Sequence, residues 1–207
     1  MADPTPVPTR RVPTQARSRK RVEQVLDAAA TLVVRDGVDA LTTSEIARAA
    51  GIPVASLYQY FADKDAVLLA LAERDMAEMD AEVAAAVAAL DERGLDVAAV
   101  VRATMEAFVR VYHRRRAFVE IYLRGRTNAA VHRFGREHNR QVAGDLLAFA
   151  REAGLAGPDL TEQRAQLAVE VGDRIFQLAF ESQDRGDPDL VEEGITLVTT
   201  YLERYAA

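Results

Sequence analysis

Apolar residues recur along most of the chain at spacings of three and four. Val22, Val25, Leu26, Ala29, Leu32 and Val33 share one helical face, and Gly37 follows Asp36 as a stop. Leu41-Thr42-Thr43-Ser44-Glu45-Ile46 opens a second helix, with Thr42 and Glu45 at capping-box spacing and Leu41 and Ile46 as a hydrophobic staple around them. This helix is short, because Gly51 comes directly after Ala49-Ala50. A third segment, Val54 to Phe61, puts Leu57 and Phe61 on one face and points Tyr58 and Tyr60 elsewhere. Asp63 caps a long fourth helix through Leu68, Leu71, Met76, Met79, Val83 and Val87, ending near Gly94.

Five more helices complete the chain. One runs from Asp96 to about Arg115, and a short one spans Phe118 to Leu123. The seventh is capped at Asn128 and passes through Val131, Phe134, His138, Val142 and Phe149 to Gly154. The eighth starts near Thr161 and ends before Gly186; the ninth has Asp187 as cap and Pro188 in its first turn. No segment sustains period-2 alternation with β-branched enrichment, so the expected fold is all-α, with about nine helices.

Composition narrows the class. At 49% hydrophobic and 28% charged, the chain is an ordinary globular protein rather than a disordered one. No apolar run approaches the roughly 18 residues of a membrane span. Met1 to Pro13, with four prolines, two arginines and Asp3, has no apolar h-region; it is expected to be a disordered basic arm, not a signal peptide. The absence of cysteine removes disulfides, thiol nucleophiles and Cys-ligated zinc, and fits the cytoplasm.

The net charge of −6 opposes a protein that coats nucleic acid, but its distribution is uneven. Residues 1–64 hold nine Lys/Arg against seven Asp/Glu, and six of the nine lie between Arg10 and Arg21 with no acid among them. The remaining residues hold 17 basic against 25 acidic. A cationic arm on an acidic body suits a local phosphate contact; a solvated tail is the alternative.

The segment after the arm decides between them. Two short helices joined by a glycine turn form the pattern of a helix-turn-helix, whose second helix enters the major groove. Ile46, Ala47, Ala50, Ile52 and Leu57 suit its small core, and Gly51 the positive φ of its turn. Tyr58, Gln59, Tyr60 and Lys64 supply hydrogen-bonding groups and a cation on the second helix and its flank, while Thr43 and Ser44 sit at the positively polarised start of the first. A purely structural helical hairpin is the alternative from spacing alone.

The residues themselves go further. From about Arg17 to Leu71 the chain resembles the TetR family of bacterial transcriptional regulators. The likeness runs through Arg35-Asp36-Gly37, Leu41-Thr42-Thr43-Ser44-Glu45-Ile46-Ala47 and Ala50-Gly51-Ile52. Its most specific part is Ser56-Leu57-Tyr58-Gln59-Tyr60-Phe61-Ala62-Asp63-Lys64, continuing to Leu68. The resemblance implies a repressor-type regulator that binds a near-palindromic operator in double-stranded DNA as a dimer and carries a C-terminal ligand-binding domain. It implies phosphate contacts at Thr43, Tyr58, Tyr60 and Lys64, and base-edge positions at Ser44, Val54, Ala55 and Gln59. Ser56, on the same short helix, and Arg17, at the end of the arm, complete the expected DNA-binding set. Pro53 departs from the pattern: it stands where a Ser or Thr often caps the recognition helix. Readout then rests on Gln59, Ser44, apolar contacts to thymine methyls and DNA shape.

The expected organisation is an arm at 1–13, a helix-turn-helix domain at 14–62 and a ligand-binding and dimerisation domain at 63–207. Six of seven phenylalanines fall between 108 and 180. Core packing accounts for many of them; the sharper expectation is an aromatic pocket among helices five to eight, formed by Phe108, Tyr112, Phe118, Tyr122, Phe134, Phe149 and Phe176, with His138 and Asp173 orienting an unidentified small-molecule effector. Helices eight and nine each carry apolar stripes wider than one partner covers, which predicts a homodimer through both. The rival classes are a helical enzyme and a non-specific architectural DNA-binding protein. His132 and His138 are six residues apart and share no helical face, and no nucleophile elbow or P-loop is present, so no catalytic residue, metal or cofactor is expected.

Overall fold

A computed structural model describes residues 12–91, 95–125 and 128–207, with side chains from Arg17 onward. Among them there is no strand; a single antiparallel bridge joins Ala156 to Ala206. The helices are α1 (Val12–Asp36), α2 (Thr43–Ala49), α3 (Val54–Leu57), α4 (Lys64–Ala88), α5 (Val97–Arg114), α6 (Arg116–Phe118), α7 (Ala129–Glu152), α8 (Glu162–Ala179) and α9 (Pro188–Glu203). The fold is all-α, as the periodicity predicts. The expected arm lies outside the described residues up to position 11; Val12 and Pro13 already belong to α1, where proline suits a first turn.

Side-chain caps fix most helix starts. Thr42 Oγ1 accepts from Glu45 N at 3.2 Å, Asp63 from Ala66 N at 2.8 Å and Asp96 from Ala99 N at 2.7 Å. Asn128 accepts from Ala130 N and Val131 N, Thr161 from Arg164 N, and Asp187 from Asp189 N. Each side chain satisfies an amide that the helix leaves unpaired.

Three boundaries differ from the sequence expectation. α3 stops at Leu57 rather than Phe61: the Gln59 and Tyr60 amides bond three residues back, to Ser56 and Leu57, so the segment tightens into turns. α4 stops at Ala88, short of Gly94, which lies outside the described residues. α6 is a single turn that widens into a π-helical turn at Val119–Leu123, where a continuous α-helix from Phe118 was expected. α8 ends at Ala179, before Gly186 as expected; Phe180 is buried in the core and Asp187 N closes back onto the Ala179 carbonyl at 2.9 Å.

One apolar core runs through the molecule. It joins Val25, Leu32, Ile46, Leu57 and Phe61 to Leu68 and Leu71 of α4, and continues to Tyr112, Phe118, Phe176 and Phe180. The start of α4 therefore packs with the helix-turn-helix and its remainder with the C-terminal helices. Polar clamps hold α4 on both sides. Arg74 reaches Glu23 at 3.1 Å and Asp27 at 2.7 Å on α1. Glu78 and Glu82 pair with Arg110, Arg114 and Arg115 after them.

Candidate functional site

Two regions carry candidate chemistry. At the first, Gly51 holds φ at +65°, a conformation glycine adopts without strain, and the chain reverses between α2 and α3. Ile46, Ala47 and Leu57 are fully buried beneath the turn and set how the two helices cross. Outward, Ser44, Val54, Ala55, Tyr58 and Gln59 are exposed; Thr43, Ser56, Tyr60 and Lys64 are partly covered. Arg17 is exposed on α1, as are Arg19, Lys20 and Arg21 in the next turn. Thr43 and Tyr58 meet: their hydroxyl oxygens are 3.1 Å apart, tying the start of α2 to the end of α3. Pro53 makes no side-chain cap, so the first amides of α3 have no side-chain acceptor there. The surface formed is an exposed polar edge, two aromatic hydroxyls and flanking cations over a rigid apolar seat. Arg48, exposed in the last turn of α2, belongs to the same surface and was not among the expected residues.

The second region is a cavity of about 130 Å³ between α5, α7, α8 and α9. Of the nine residues expected around a ligand, Phe108, Asp173 and Phe176 line it. The other six stand elsewhere, for identifiable reasons. Tyr112 and Phe118 are fully buried in the core and stack on each other with ring centroids 5.9 Å apart. Tyr122 stacks on Phe118, with centroids 5.2 Å apart. His138 faces α4, where its Nε2 lies 2.7 Å from Asp80 Oδ1, and Phe134 stacks beside it. Phe149 packs against Val83, Val87 and Ala107.

The actual lining is aliphatic, from Val97, Leu146, Leu147, Leu160 and others, with three polar residues among them: Thr104, Asn139 and Asp173. Burial lifts the Asp173 carboxyl to about 6, with the charge of Glu170 adding to it, while the polar groups of Tyr122, Gln177 and Asn139 beside it pull the other way. Gln177 Nε2 donates to it at 2.9 Å. Burial also raises the Tyr122 hydroxyl, as does the neighbouring Asp173. Asn139 lies beside both groups, yet its Nδ2 has no acceptor in hydrogen-bond geometry, and Thr104 Oγ1 has no partner either. Sequence reasoning missed Thr104 and Asn139. Their signal was a polar residue on a stripe otherwise apolar, as in Val101-Thr104-Met105-Phe108. Among the described residues, no group of three or more His, Asp or Glu side chains could hold a metal ion. No helix there is long and apolar enough to cross a membrane.

Comparison with known proteins bears on both regions. Residues 25–71 match the model of bacterial regulatory proteins of the TetR family. A TetR-family transcriptional regulator from Streptomyces coelicolor superposes with a TM-score of 0.70 and 25% identity, covering 89% of this chain and 99% of its own. A putative TetR-family regulator from Syntrophomonas wolfei gives 0.72 at 13% identity, covering 88% and 95%. RolR, solved with resorcinol, gives 0.64 at 19% identity, covering 92% and 96%. No curated protein sequence matches. The matched segment runs from the middle of α1 to the first turns of α4, the part that builds the exposed helix-turn-helix, and the likeness in fold extends over the C-terminal helices. Residues 25–71 are thus similar to the DNA-binding part of TetR-family transcriptional regulators, and the chain as a whole shares the fold of the Streptomyces coelicolor regulator.

Proposed function

We propose that the protein is a cytoplasmic repressor that binds a palindromic operator as a homodimer and releases it when a small molecule occupies the C-terminal cavity. The observation that carries the DNA half is the exposed face of α3 and its turn, with Tyr58 pinned to Thr43 across a buried apolar seat. On this reading Thr43, Tyr58, Tyr60, Lys64 and Arg17 meet phosphates, and Ser44, Val54, Ala55, Ser56 and Gln59 lie along base edges. The dimer half is supported by leucines that a monomer leaves in water: Leu167 and Leu178 on α8, and Leu190 and Leu197 on α9, are 40–53% exposed. An apolar groove between Leu178, Leu190 and Leu197 runs along the same face. A two-fold pairing through α8 and α9 would have to set the two recognition helices about 34–36 Å apart, one turn of DNA, to meet both half-sites.

The cavity supports the effector half, as does the resorcinol held by RolR, a protein of the same fold. Selection from a random DNA pool tests the reading. The expected result is enrichment of one inverted repeat with half-sites a helical turn apart. A pool that retains no common motif would overturn it.

A further inference from the structure

The cavity between α5, α7, α8 and α9 has a shape and a set of polar groups that together specify an occupant. Its volume of about 130 Å³ is close to the roughly 150 Å³ of a buried apolar cavity that accepts benzene. Gly172 is buried in its wall, and a Cβ placed there would meet nothing within 4 Å, so α8 leaves open space at mid-helix. The walls are hydrocarbon except for Thr104, Asn139 and Asp173, the last two of which lie side by side.

Those three groups discriminate among ring-sized molecules. No Lys, Arg or His lines the cavity, and its one ionisable side chain is a carboxyl, so a carboxylate or phosphate would enter without a counter-charge and against Asp173. A bare hydrocarbon leaves Asn139 Nδ2 and Thr104 Oγ1 as they stand, buried and unpaired. An ammonium has donors for Asp173 but no lone pair for the Asn139 amide. A hydroxyl has both.

Building on the effector reading above, we propose that this cavity takes a neutral hydroxylated ring, a phenol or cyclic alcohol of one six-membered ring, whose O–H donates to Asp173 and whose oxygen accepts from Asn139. Thr104, in the same lining and with its hydroxyl unpartnered, is available to a second polar group on the ring. Phe108 and Phe176, stacked with centroids 5.5 Å apart, form the aromatic part of the wall. The raised Asp173 carboxyl agrees with this arrangement: poorly solvated as an anion, it gains from an additional O–H donor.

The test is calorimetric titration of the full chain, without DNA, with phenol, toluene, benzoate and benzylamine. Phenol is expected to bind about tenfold more tightly than each of the other three, the worth of one buried hydrogen bond. Asn139→Ala should erase most of that margin over toluene. Gly172→Leu should abolish binding of every probe, and Gly172→Ala, whose methyl group has room, keeps the fold and reports whether filling the space weakens phenol. Toluene, benzoate or benzylamine binding as tightly as phenol would overturn the proposal. So would no binding of phenol at millimolar concentration, or an Asn139→Ala protein with an unchanged preference. Phenol that binds as described but leaves DNA affinity unaltered would sink the effector reading and leave the assignment of the cavity standing.

Discussion

At the residue scale, the two regions make different demands on single side chains. Lys64 is a cation at the first position of α4, and Tyr58 a neutral hydroxyl bonded to Thr43. Lys64→Ala should weaken binding to all DNA sequences and lower the slope of log affinity against log salt by about one, the signature of a lost phosphate contact. Tyr58→Phe should also weaken all sequences but leave that slope in place, because a neutral donor displaces no counterion. Gln59→Ala should instead relax preference at particular base pairs. Equilibrium binding across a salt series, on operator and scrambled DNA, separates the three. Asp173 gives a second residue-scale prediction. Its folded value of about 6 lies above the ordinary 3.8, so between these values the folded protein holds a proton that the unfolded chain has lost. Its contribution to stability is therefore greatest below that window and declines as pH rises through it. Asp173→Asn cannot titrate. Denaturant melts at about pH 4 and pH 7 should show wild type losing on the order of 3 kcal/mol relative to the variant across the window. A constant difference between the two proteins would refute the assignment.

At the scale of the helical element, the features legible in the sequence are those that depend on a few adjacent residues. Thr42, Asp63, Asn128 and Asp187 cap their helices as side chains of those types do, and spacing alone located them. The resemblance carried by Ser56 to Lys64 is local in the same sense. The features that were not legible depend on which helices face each other. Aromatic content placed nine residues around a ligand, yet Tyr112, Phe118 and Tyr122 form a stacked ladder within the core, and the cavity is mostly aliphatic. The π-helical turn has no local signature either, and it coincides with a close tertiary contact. Tyr122, carried by that turn, lies so close to Gly135 of α7 that a Cβ there would fall 2.3 Å from the ring. Gly135→Ala should therefore destabilise by roughly 1–3 kcal/mol through overpacking, although alanine is the better helix former. Adding Tyr122→Leu should recover part of the loss. Thermal melts of the two single variants and the double variant give the coupling directly, and additive effects would show that the ring and the glycine are not in conflict.

At the scale of the whole molecule, α4 joins what the sequence divided at position 63. Its first turns complete the apolar seat of the helix-turn-helix, and its later turns are clamped to α5 through Glu78 and Glu82. A core continuous from Val25 to Phe180 cannot melt by halves, so calorimetry of the full chain should show one unfolding transition, not two. The same continuity lets an event in the cavity reach α3, provided that the two copies are held in a fixed relation. In the dimer proposed above, that relation would rest on the exposed leucines of α8 and α9. Leu178→Glu combined with Leu197→Glu places charges where two chains would meet and touches nothing in the monomer core, since both side chains face water in the single chain. Sedimentation should show the mass falling from twice 22.7 kDa to 22.7 kDa with helix content retained. Operator affinity should fall with it, because the second half-site is then met as a separate molecule rather than at the millimolar effective concentration of a linked partner. Binding to an isolated half-site should be unaffected, so a variant that loses full and half-sites together would point to a damaged helix-turn-helix. A variant that stays dimeric would place the interface on another face of the molecule.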